Sequence, residues 1–492
     1  MADNFFKEIE KGLYKGELNP PVGSLRKMIE ERKVGVVVGH PTFKNEDNIP
    51  VQLGKTIQGA ADHFTEKGAA IVVVDGTYTE GSKDQTTIDA ALQGAKEALA
   101  KLTDEQREKI FVVVTPYEGY GDDKTPGKGS ALKMVFEEGA KTQATMFVLL
   151  DGDLRNDMAQ WQGVFKKVED LHSANLPECD YFITARYARH FVDASLTRFI
   201  VGPLTTLLGS YVPGGISGDI VLSGGALEHE LGPWSQARRK YGTDISTTFD
   251  NIADNNTAIY EVYLGAKLHD ITDEGKLSVM PGEVIGAALE SLLRHRERFE
   301  TVLNCDKPVE EPCRLGPDFT GIEFIDPGRT DVFKIETKMK TLVDKWPTFS
   351  DDVKAVLGEE KHSKLAKEVS ALEELAKTGT GELVLLNMNR QRWIDCLIQA
   401  VGRTLATGDV DVSKRALNYL YTAAFLEFCR ERLIDLGHTT IEAVKEAQGN
   451  LGVDADKAEA FYNDRVDAEA MGLAYDFYDA RKQILAAAKS FK

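Results

Sequence analysis

The sequence predicts an α/β domain with a mostly parallel sheet, followed by a mainly α-helical domain. Short apolar runs alternate with amphipathic stretches from Val34 to Leu150, and strict alternation of strand and helix indicates a parallel sheet with right-handed crossovers. Polar and charged side chains follow the ends of the apolar runs. Near Met280 the alternation stops, and long helical patterns take its place. We therefore expect a nucleotide-binding type of domain, whose ligand lies beyond the carboxyl ends of the strands.

Three domains are expected: a helical extension at 1–32, the α/β domain at 33–280 and the helical domain at 281–492. The predicted strands are Val34–Val38, Ala70–Asp75, Ile110–Thr115, Met146–Leu150, Asp180–Ala185 and Ala258–Leu264. The predicted helices of the α/β domain are Val51–Lys67, Thr86–Lys101, Ser130–Lys141, Ala194–Leu208 and a helix from Tyr241 to Asn251. The later helical patterns are Val284–Phe299, Thr330–Lys345, Ser363–Lys377, Asn387–Leu405, Val412–Gly437, Thr440–Gln448 and Asp454–Lys489. Aromatic residues of the helical domain, such as Tyr419 and Phe425, are expected in its core or at a homo-oligomer interface.

Composition excludes several classes of protein. The 59 basic and 78 acidic residues give a formal charge of −19, which argues against binding to nucleic acid or to an anionic membrane. The five cysteines are scattered without a CxxC pair, so neither a disulfide framework nor a zinc site is indicated. The charged first residues lack the apolar segment of a secretory signal, and we expect a cytoplasmic protein. An anionic substrate would need a local cationic pocket or a metal ion.

The strongest local signal is the pair Asp151 and Asp153, directly after the apolar run Met146–Leu150. Side chains at positions i and i+2 leave a strand on the same side, so both acids can reach one hard cation and, through it, a diphosphate. The alternative is a solvated turn, because Asp-Gly-Asp is common in turns.

Lys128 lies in a glycine-containing loop after the third strand. The loop does not match a P-loop, because Gly129 stands where Ser or Thr should hold magnesium. Lys128 can still meet a phosphate, since a lysine at a helix N-terminus adds a cation to free backbone N–H groups. The alternative is a solvated lysine in a flexible loop.

Further candidates follow in the second half of the α/β domain. Arg186 and Arg189 come after the fifth strand, and a glycine-rich loop at 213–219 ends at Asp219. His269 follows the last strand and is a candidate third metal ligand, although a lone histidine is more often structural or exposed.

In this order, these segments resemble retaining glycosyltransferases of the GT-A fold, in the group of mannosylglycerate synthase and glucosyl-3-phosphoglycerate synthase. The matching segments are Pro41–Glu46, Pro126–Gly129, Asp151–Asp153, Arg186–Arg189, Gly214–Asp219, Tyr241–Asp244 and Ile259–His269. The likeness covers roughly residues 33 to 275 and, more loosely, the helical tail. It implies a GT-A domain that binds a nucleoside-diphosphate sugar, such as GDP-mannose, UDP-glucose or GDP-glucose.

The resemblance also implies roles for individual residues. Those expected to bind the nucleotide are Pro41, Lys44, Glu46, Asp75, Lys128 and Asp151. Asp153 and His269 would hold Mn²⁺ or Mg²⁺. Those expected around the acceptor and the transferred sugar are Arg186, Arg189, Gly218, Asp219 and Asp244. Asp244, Asp151 and Lys128 would then be the catalytic residues.

The implied reaction moves mannose or glucose, with retention of configuration, to D-glycerate or a similar small hydroxy acid, making a compatible solute. Enzymes of the group that use phosphoglycerate carry Arg-Pro where this chain has Gly202-Pro203, which favours the free acid. The glycine-rich loop also departs from the group, so the sugar is left open. The alternatives are a glycosyl-3-phosphoglycerate synthase, a sugar nucleotidyltransferase and an inactive sugar-nucleotide-binding protein.

Overall fold

The computed structural model describes residues 5–119, 125–189, 194–269, 274–323, 335–378, 386–435 and 459–491. The chain forms two compact units. The first comprises Met1–Tyr187, Gly214–Asp270 and Pro312–Phe324. The second comprises Ala188–Pro213, Ile271–Glu311 and Ile325–Lys492. In the described part of the chain, no helix is both long enough and apolar enough to span a membrane.

A ten-stranded sheet lies at the centre of the first unit, with strand order β1-β2-β5-β4-β3-β6-β8-β7-β9-β10. The strands are β1 Phe6–Glu10, β2 Leu13–Gly16, β3 Val36–Thr42, β4 Ala69–Asp75, β5 Ile110–Pro116, β6 Met146–Leu149, β7 Asp180–Ala188, β8 Ile220–Ser223, β9 Thr257–Ala266 and β10 Cys313–Leu315. The β2-β5-β4-β3-β6 block is parallel, as is β9 with β10. This confirms the predicted α/β class with a mostly parallel sheet.

Every residue of β4 and β5 is buried, which is typical of parallel strands covered on both faces. The α-helices within the described residues are α1 Ser24–Glu31, α2 Ile49–His63, α3 Thr86–Leu99, α4 Asp104–Lys109, α5 Lys128–Gly139, α6 Met158–Asn175, α7 Gly202–Thr206, α8 Gly224–Glu228, α9 Thr243–Ala253, α10 Glu274–Arg294, α11 Arg296–Asn304, α12 Pro317–Thr320, α13 Ile335–Leu357, α14 Glu359–Thr378, α15 Arg390–Thr407, α16 Val410–Asp435, α17 Glu459–Asp479 and α18 Lys482–Ser490.

Several secondary-structure expectations were wrong. The helix expected near the N-terminus is the antiparallel hairpin of β1 and β2, turned by Gly12 at φ 83°. Its outer strand is mostly exposed, so it lacks the apolar run that marks a buried strand. The short strand β8, which is antiparallel to both β6 and β7, was missed.

The single helix expected at Ala194–Leu208 is divided into a π-helical turn, Thr197–Val201, and the short α7. Pro203 lies in the first turn of α7 and has no N–H for the preceding turn, which accounts for the break. The helix predicted at Thr440–Gln448 lies outside the described residues.

The second unit is helical, and its aromatic residues pack internally. The Tyr419 ring lies 5.4 Å from the Trp346 ring and 6.0 Å from the Phe349 ring, and its hydroxyl donates to the Leu342 carbonyl at 3.0 Å. The Phe428 ring contacts that of Phe199 at 5.6 Å. These residues therefore contribute to the core of the unit, while the role of the unit in an oligomer stays a prediction.

Candidate active site

Five charged side chains form a continuous chain at one edge of the sheet. Lys128 Nζ lies 2.6 Å from Asp151 Oδ1 and 2.9 Å from Asp244 Oδ2. Lys267 Nζ lies 3.0 Å from Asp151 Oδ2 and 2.9 Å from Asp219 Oδ2. We call this set, Asp244, Lys128, Asp151, Lys267 and Asp219, the charged chain. Asp151 is its centre, because each of its oxygens meets a different ammonium group.

The sheet topology brings these residues together. Asp151 follows β6, and Asp219 precedes β8, which pairs with β6 in the antiparallel sense with Leu149 opposite Ile220. The end of one strand and the start of the other therefore lie at the same edge of the sheet. The Asp151 backbone N–H donates to Asp219 Oδ1 at 3.1 Å. Lys267 follows β9, and Lys128 and Asp244 lie in the first turns of α5 and α9.

The charged chain is largely shielded from water. Its side chains are 21% exposed at Asp151, 17% at Lys128, 10% at Asp244, 8% at Lys267 and 0% at Asp219. Three carboxylates and two ammonium groups leave a formal charge of −1 when all are ionised. A diphosphate can therefore bind here only if a lysine ammonium group leaves its carboxylate partner, or if additional positive charge binds together with the diphosphate.

The pKa values follow from burial and neighbouring charge. Burial acts to raise the pKa of Asp151, but Lys128 and then Lys267 outweigh it and hold the pKa well below its usual range. Burial raises the pKa of both Asp219 and Asp244, against the opposing effects of Lys267 and Lys128 respectively. The central carboxylate is thus the firmly ionised member, and the two outer acids hold a proton more readily.

Lys267 is the member of the charged chain that the sequence did not indicate. Besides its two carboxylates, its ammonium donates to the Ser217 carbonyl and lies 5.2 Å from the centre of the Tyr187 ring. The Tyr187 hydroxyl in turn donates to Asp219. The available signal was position, since Lys267 directly follows a strand and stands two residues before His269.

The backbone N–H groups at the N-terminus of α5 are occupied, although we expected them to be free. The backbone N–H groups of Gly129 and Ser130 donate to the carbonyls of Lys240 and Arg239, at 3.2 and 2.9 Å. A Cβ atom on Gly129 would lie 2.0 Å from the Arg238 carbonyl oxygen, so glycine is required by this close approach. The expectation that these N–H groups are free for a phosphate is therefore wrong, and Lys128 offers its ammonium group.

The predicted metal ligands lie on adjoining segments. Leu154 and His269 form an isolated antiparallel bridge, and the Arg155 N–H donates to the Leu268 carbonyl at 2.8 Å. Asp153, one residue before the bridge, is half-buried, and its carboxylate makes no hydrogen bond or ion pair within the described ranges. The residues that the structure describes contain no group of three or more His, Cys, Asp or Glu side chains that could hold a metal ion. A carboxylate and an imidazole suit Mn²⁺ or Mg²⁺ only if the donor's oxygens complete the ligand shell.

Asp75 is tied to its own loop. Its carboxylate accepts hydrogen bonds from the Thr42 hydroxyl at 3.1 Å, from the Thr77 hydroxyl at 2.9 Å and N–H at 3.1 Å, and from the Tyr78 N–H at 3.1 Å. It is fully buried, and burial raises its pKa against these hydrogen bonds. The position is thus a structural anchor at the edge where the nucleotide base is expected.

The β3–α2 loop carries the other predicted nucleotide contacts. Lys44 is exposed at φ 55°, with its N–H donating to the Thr77 hydroxyl at 2.7 Å. Glu46 accepts a hydrogen bond from Thr87 at 3.0 Å. The Pro41 carbonyl lies 2.6 Å from where a Cβ on Gly152 would stand, which brings this loop against the Asp151 segment.

The predicted acceptor residues are less closely grouped. Gly218, at φ 78°, packs against Asp151, and an added Cβ would lie 2.2 Å from Asp151 Oδ2. Arg186 is exposed at the end of β7, where its charge acts on buried Glu261. Arg189 belongs to the second compact unit. The described geometry therefore joins Gly218 to Asp219, and the arginine roles stay predictions.

Comparison with known proteins gave structural neighbours alone. No protein-family model and no curated protein matches the chain. It is similar to Mycobacterium tuberculosis glucosyl-3-phosphoglycerate synthase, at 20% identity over 56% of this chain and 87% of that one, with a TM-score of 0.37. The same enzyme with Mn²⁺, UDP-glucose and phosphoglyceric acid gives 20% identity, 56% and 86% coverage and a TM-score of 0.35. Mannosyl-3-phosphoglycerate synthase from Rubrobacter xylanophilus gives 18% identity, 57% and 82% coverage and a TM-score of 0.39. These neighbours belong to the group that the sequence motifs resemble, while the substrates of this chain have to be inferred from its own residues.

Proposed function

We propose that this protein is a retaining glycosyltransferase that moves a hexose from a nucleoside-diphosphate sugar to glycerate or a similar small hydroxy acid. The observation that carries the proposal is the charged chain, in which Asp151 at the end of a parallel strand is held between two half-buried lysines. Such a strand edge is where α/β domains bind nucleotides, and paired ammonium groups suit a diphosphate.

The leaving group sets the main chemical requirement. Breaking the bond between the hexose C1 and the diphosphate oxygen places negative charge on the nucleoside diphosphate. Lys128 and Lys267 are positioned to neutralise that charge in a site that largely excludes water, where electrostatic stabilisation is strong. Their release from Asp151 toward the diphosphate would leave that carboxylate free to accept hydrogen bonds from sugar hydroxyls.

Asp153 and His269 fit a divalent cation. These two residues would hold Mn²⁺ or Mg²⁺, because they lie on adjoining segments and the Asp153 carboxylate has no partner among the described residues. When bound, such a cation would supply positive charge to the diphosphate. Its charge would also offset the formal −1 of the charged chain.

Asp219, Gly218 and Asp244 would border the sugar and the acceptor. The acceptor hydroxyl attacks C1 from the side that the diphosphate leaves, and its proton passes to a departing phosphate oxygen, which gives retention. Asp244 Oδ1 is buried and has no hydrogen-bond partner in the described structure, so it can accept a hydrogen bond from a hydroxyl of the transferred sugar. Arg186 and Arg189 would pair with the acceptor carboxylate.

Product analysis tests the proposal. The full chain is incubated with Mn²⁺ or Mg²⁺, one of several UDP, GDP or ADP sugars, and D-glycerate or 3-phosphoglycerate. We expect release of nucleoside diphosphate and an α-glycosidic product with glycerate, identified by the NMR signal of its anomeric proton. Release of pyrophosphate would instead indicate a nucleotidyltransferase. Nucleotide binding without transfer to any acceptor would contradict the proposed activity.

A further inference from the structure

A buried ion cluster includes a residue of α9, the helix that carries Asp244. Arg238 contacts Glu230 with one guanidinium nitrogen and places the other 2.8 Å from Asp250 Oδ2. The three side chains are 4%, 0% and 3% exposed. We call these three residues the buried cluster. It lies outside the charged chain, and the proposed function assigns it no role.

The buried cluster attaches to α9, the helix that carries Asp244. Asp250 is part of α9, and Thr247 of the same helix donates its hydroxyl to Glu230 at 2.7 Å. Residues three or four apart share one face of a helix, so Thr247 lies on the same side as Asp244. The contacts of Thr247 and Asp250 with the buried cluster therefore fix the rotation of α9 about its axis, and with it the direction of the Asp244 side chain.

The segment that carries Arg238 is also joined to α5, the helix that begins with Lys128. The carbonyls of Arg239 and Lys240 accept the first N–H groups of α5. The Arg238 guanidinium stacks on the Trp234 ring at 4.3 Å, and that ring packs edge-on against Phe136 of α5 at 6.0 Å. One short segment thus holds α5 with its backbone and α9 with the Arg238 side chain.

We propose that Arg238 is a positioning residue that sets α9 against α5 so that Asp244 meets Lys128. This inference rests on the proposed function only for the consequence in turnover. Buried ion pairs are often replaceable by apolar groups without loss of stability, so a buried Arg–carboxylate cluster is better explained by geometry than by stability. The planar guanidinium uses separate nitrogens for the two carboxylates while it stacks on the Trp234 ring, and the single ammonium group of a lysine cannot reproduce this geometry.

The test removes the charges together. Replacing Arg238 alone would remove the guanidinium that two buried carboxylates share, which is strongly destabilising. The triple variant Glu230→Gln/Arg238→Met/Asp250→Asn keeps the volume and removes all three charges. Arg238→Lys is the conservative variant. The matched control is Lys67→Met/Glu169→Gln, which removes an ion pair between a 36%-exposed lysine just before β4 and a 7%-exposed glutamate of α6.

Two readouts separate positioning from general loss of structure. The first is the rate at which an amine-reactive reagent labels Lys128, measured by peptide mass spectrometry at fixed pH. The second is kcat against the KM for the donor. In a folded triple variant we expect labelling to rise roughly tenfold, and kcat to fall by about 10- to 100-fold with a much smaller change in KM, because a misplaced group costs on this order. Arg238→Lys should lie between the triple variant and the wild type, and the control should match the wild type.

The inference is overturned if the folded triple variant labels and turns over like the wild type. If the triple variant does not fold, wild-type labelling and turnover in Arg238→Lys overturn it in the same way. If the wild type itself transfers no sugar, the proposed function fails, and the labelling rates still decide whether Arg238 positions Lys128.

Discussion

Asp75 and Asp151 stand at the ends of two strands that flank β3, and they differ in what surrounds them. Asp75 is satisfied by four hydrogen bonds from Thr42, Thr77 and Tyr78, all close by in the sheet or its own loop. Asp151 is instead held by two ammonium groups, those of Lys128 at the start of α5 and of Lys267 after β9. The same sequence signal, an aspartate after a buried strand, thus gives a structural anchor in one case and a charged centre in the other.

The largest expected effect comes from Asp151→Asn, which removes the shared partner of Lys128 and Lys267. We expect turnover to fall by about 10²- to 10³-fold, on the scale of losing one preorganised electrostatic group. Steady-state transfer kinetics measure this, with circular dichroism to verify folding. Turnover within a few-fold of wild type would remove Asp151 from the centre of the site.

Lys267→Met should have the next largest effect. Without this ammonium, Asp151 and Asp219 lose the cation between them, and one positive charge for the diphosphate is lost. Turnover should fall on the order of 10²-fold. Lys55→Met is a suitable control, because Lys55 forms an exposed ion pair with Asp157 and takes no part in the charged chain. An equal loss in both variants would contradict the assignment.

We predict that the folding stability depends on pH through His40, which lies on β3, between the strands that end at Asp75 and Asp151. Burial lowers the pKa of His40 from 6.5 to about 4, so the unfolded chain binds a proton in this interval and the folded chain does not. The stability contribution is present above pH 6.5 and is lost as the pH falls toward 4, at about 1.4 kcal/mol per pH unit over most of that interval. Urea unfolding at several pH values measures it, and His40→Gln should reduce the slope. An unchanged slope in that variant would assign the effect to other groups.

Asp75→Asn is expected to have the smallest effect. The amide keeps one acceptor oxygen but cannot accept all four hydrogen bonds, so we expect a loss of about 1–2 kcal/mol of folding free energy. Turnover should change little, while the donor KM should rise because the loop that borders the nucleotide loosens. Thermal unfolding and donor titration measure both. A loss of turnover as large as that of Asp151→Asn would erase the distinction between the two strand ends.

The sequence predicted the site residues that belong to local motifs, but not the contacts between residues far apart in the sequence. Asp151, Lys128 and Asp219 were named from strand ends and glycine-containing loops, and Asp244 from the family resemblance at the start of a helix. The structure places all four in one charged chain. Lys267 was missed because it stands beside His269, and only the antiparallel pairing of the short β8 with β6 reveals that Asp219 and Asp151 share its ammonium. The carbonyls that occupy the start of α5 come from residues more than a hundred positions later, which no local pattern indicates.

The fold shows the same limit. Continuous apolar runs predicted the central parallel strands, because those strands are buried on both faces. The hairpin of β1 and β2 was missed, since its outer strand exposes four of five residues and resembles a polar surface segment.

The most direct test is a crystal structure of the protein with Mn²⁺ and a nucleoside diphosphate. We predict that the diphosphate lies within hydrogen-bonding distance, about 3 Å, of Lys128 or Lys267, and that the cation contacts Asp153 and His269. A nucleotide bound away from this edge of the sheet, with the charged chain intact and no cation on Asp153, would contradict the account.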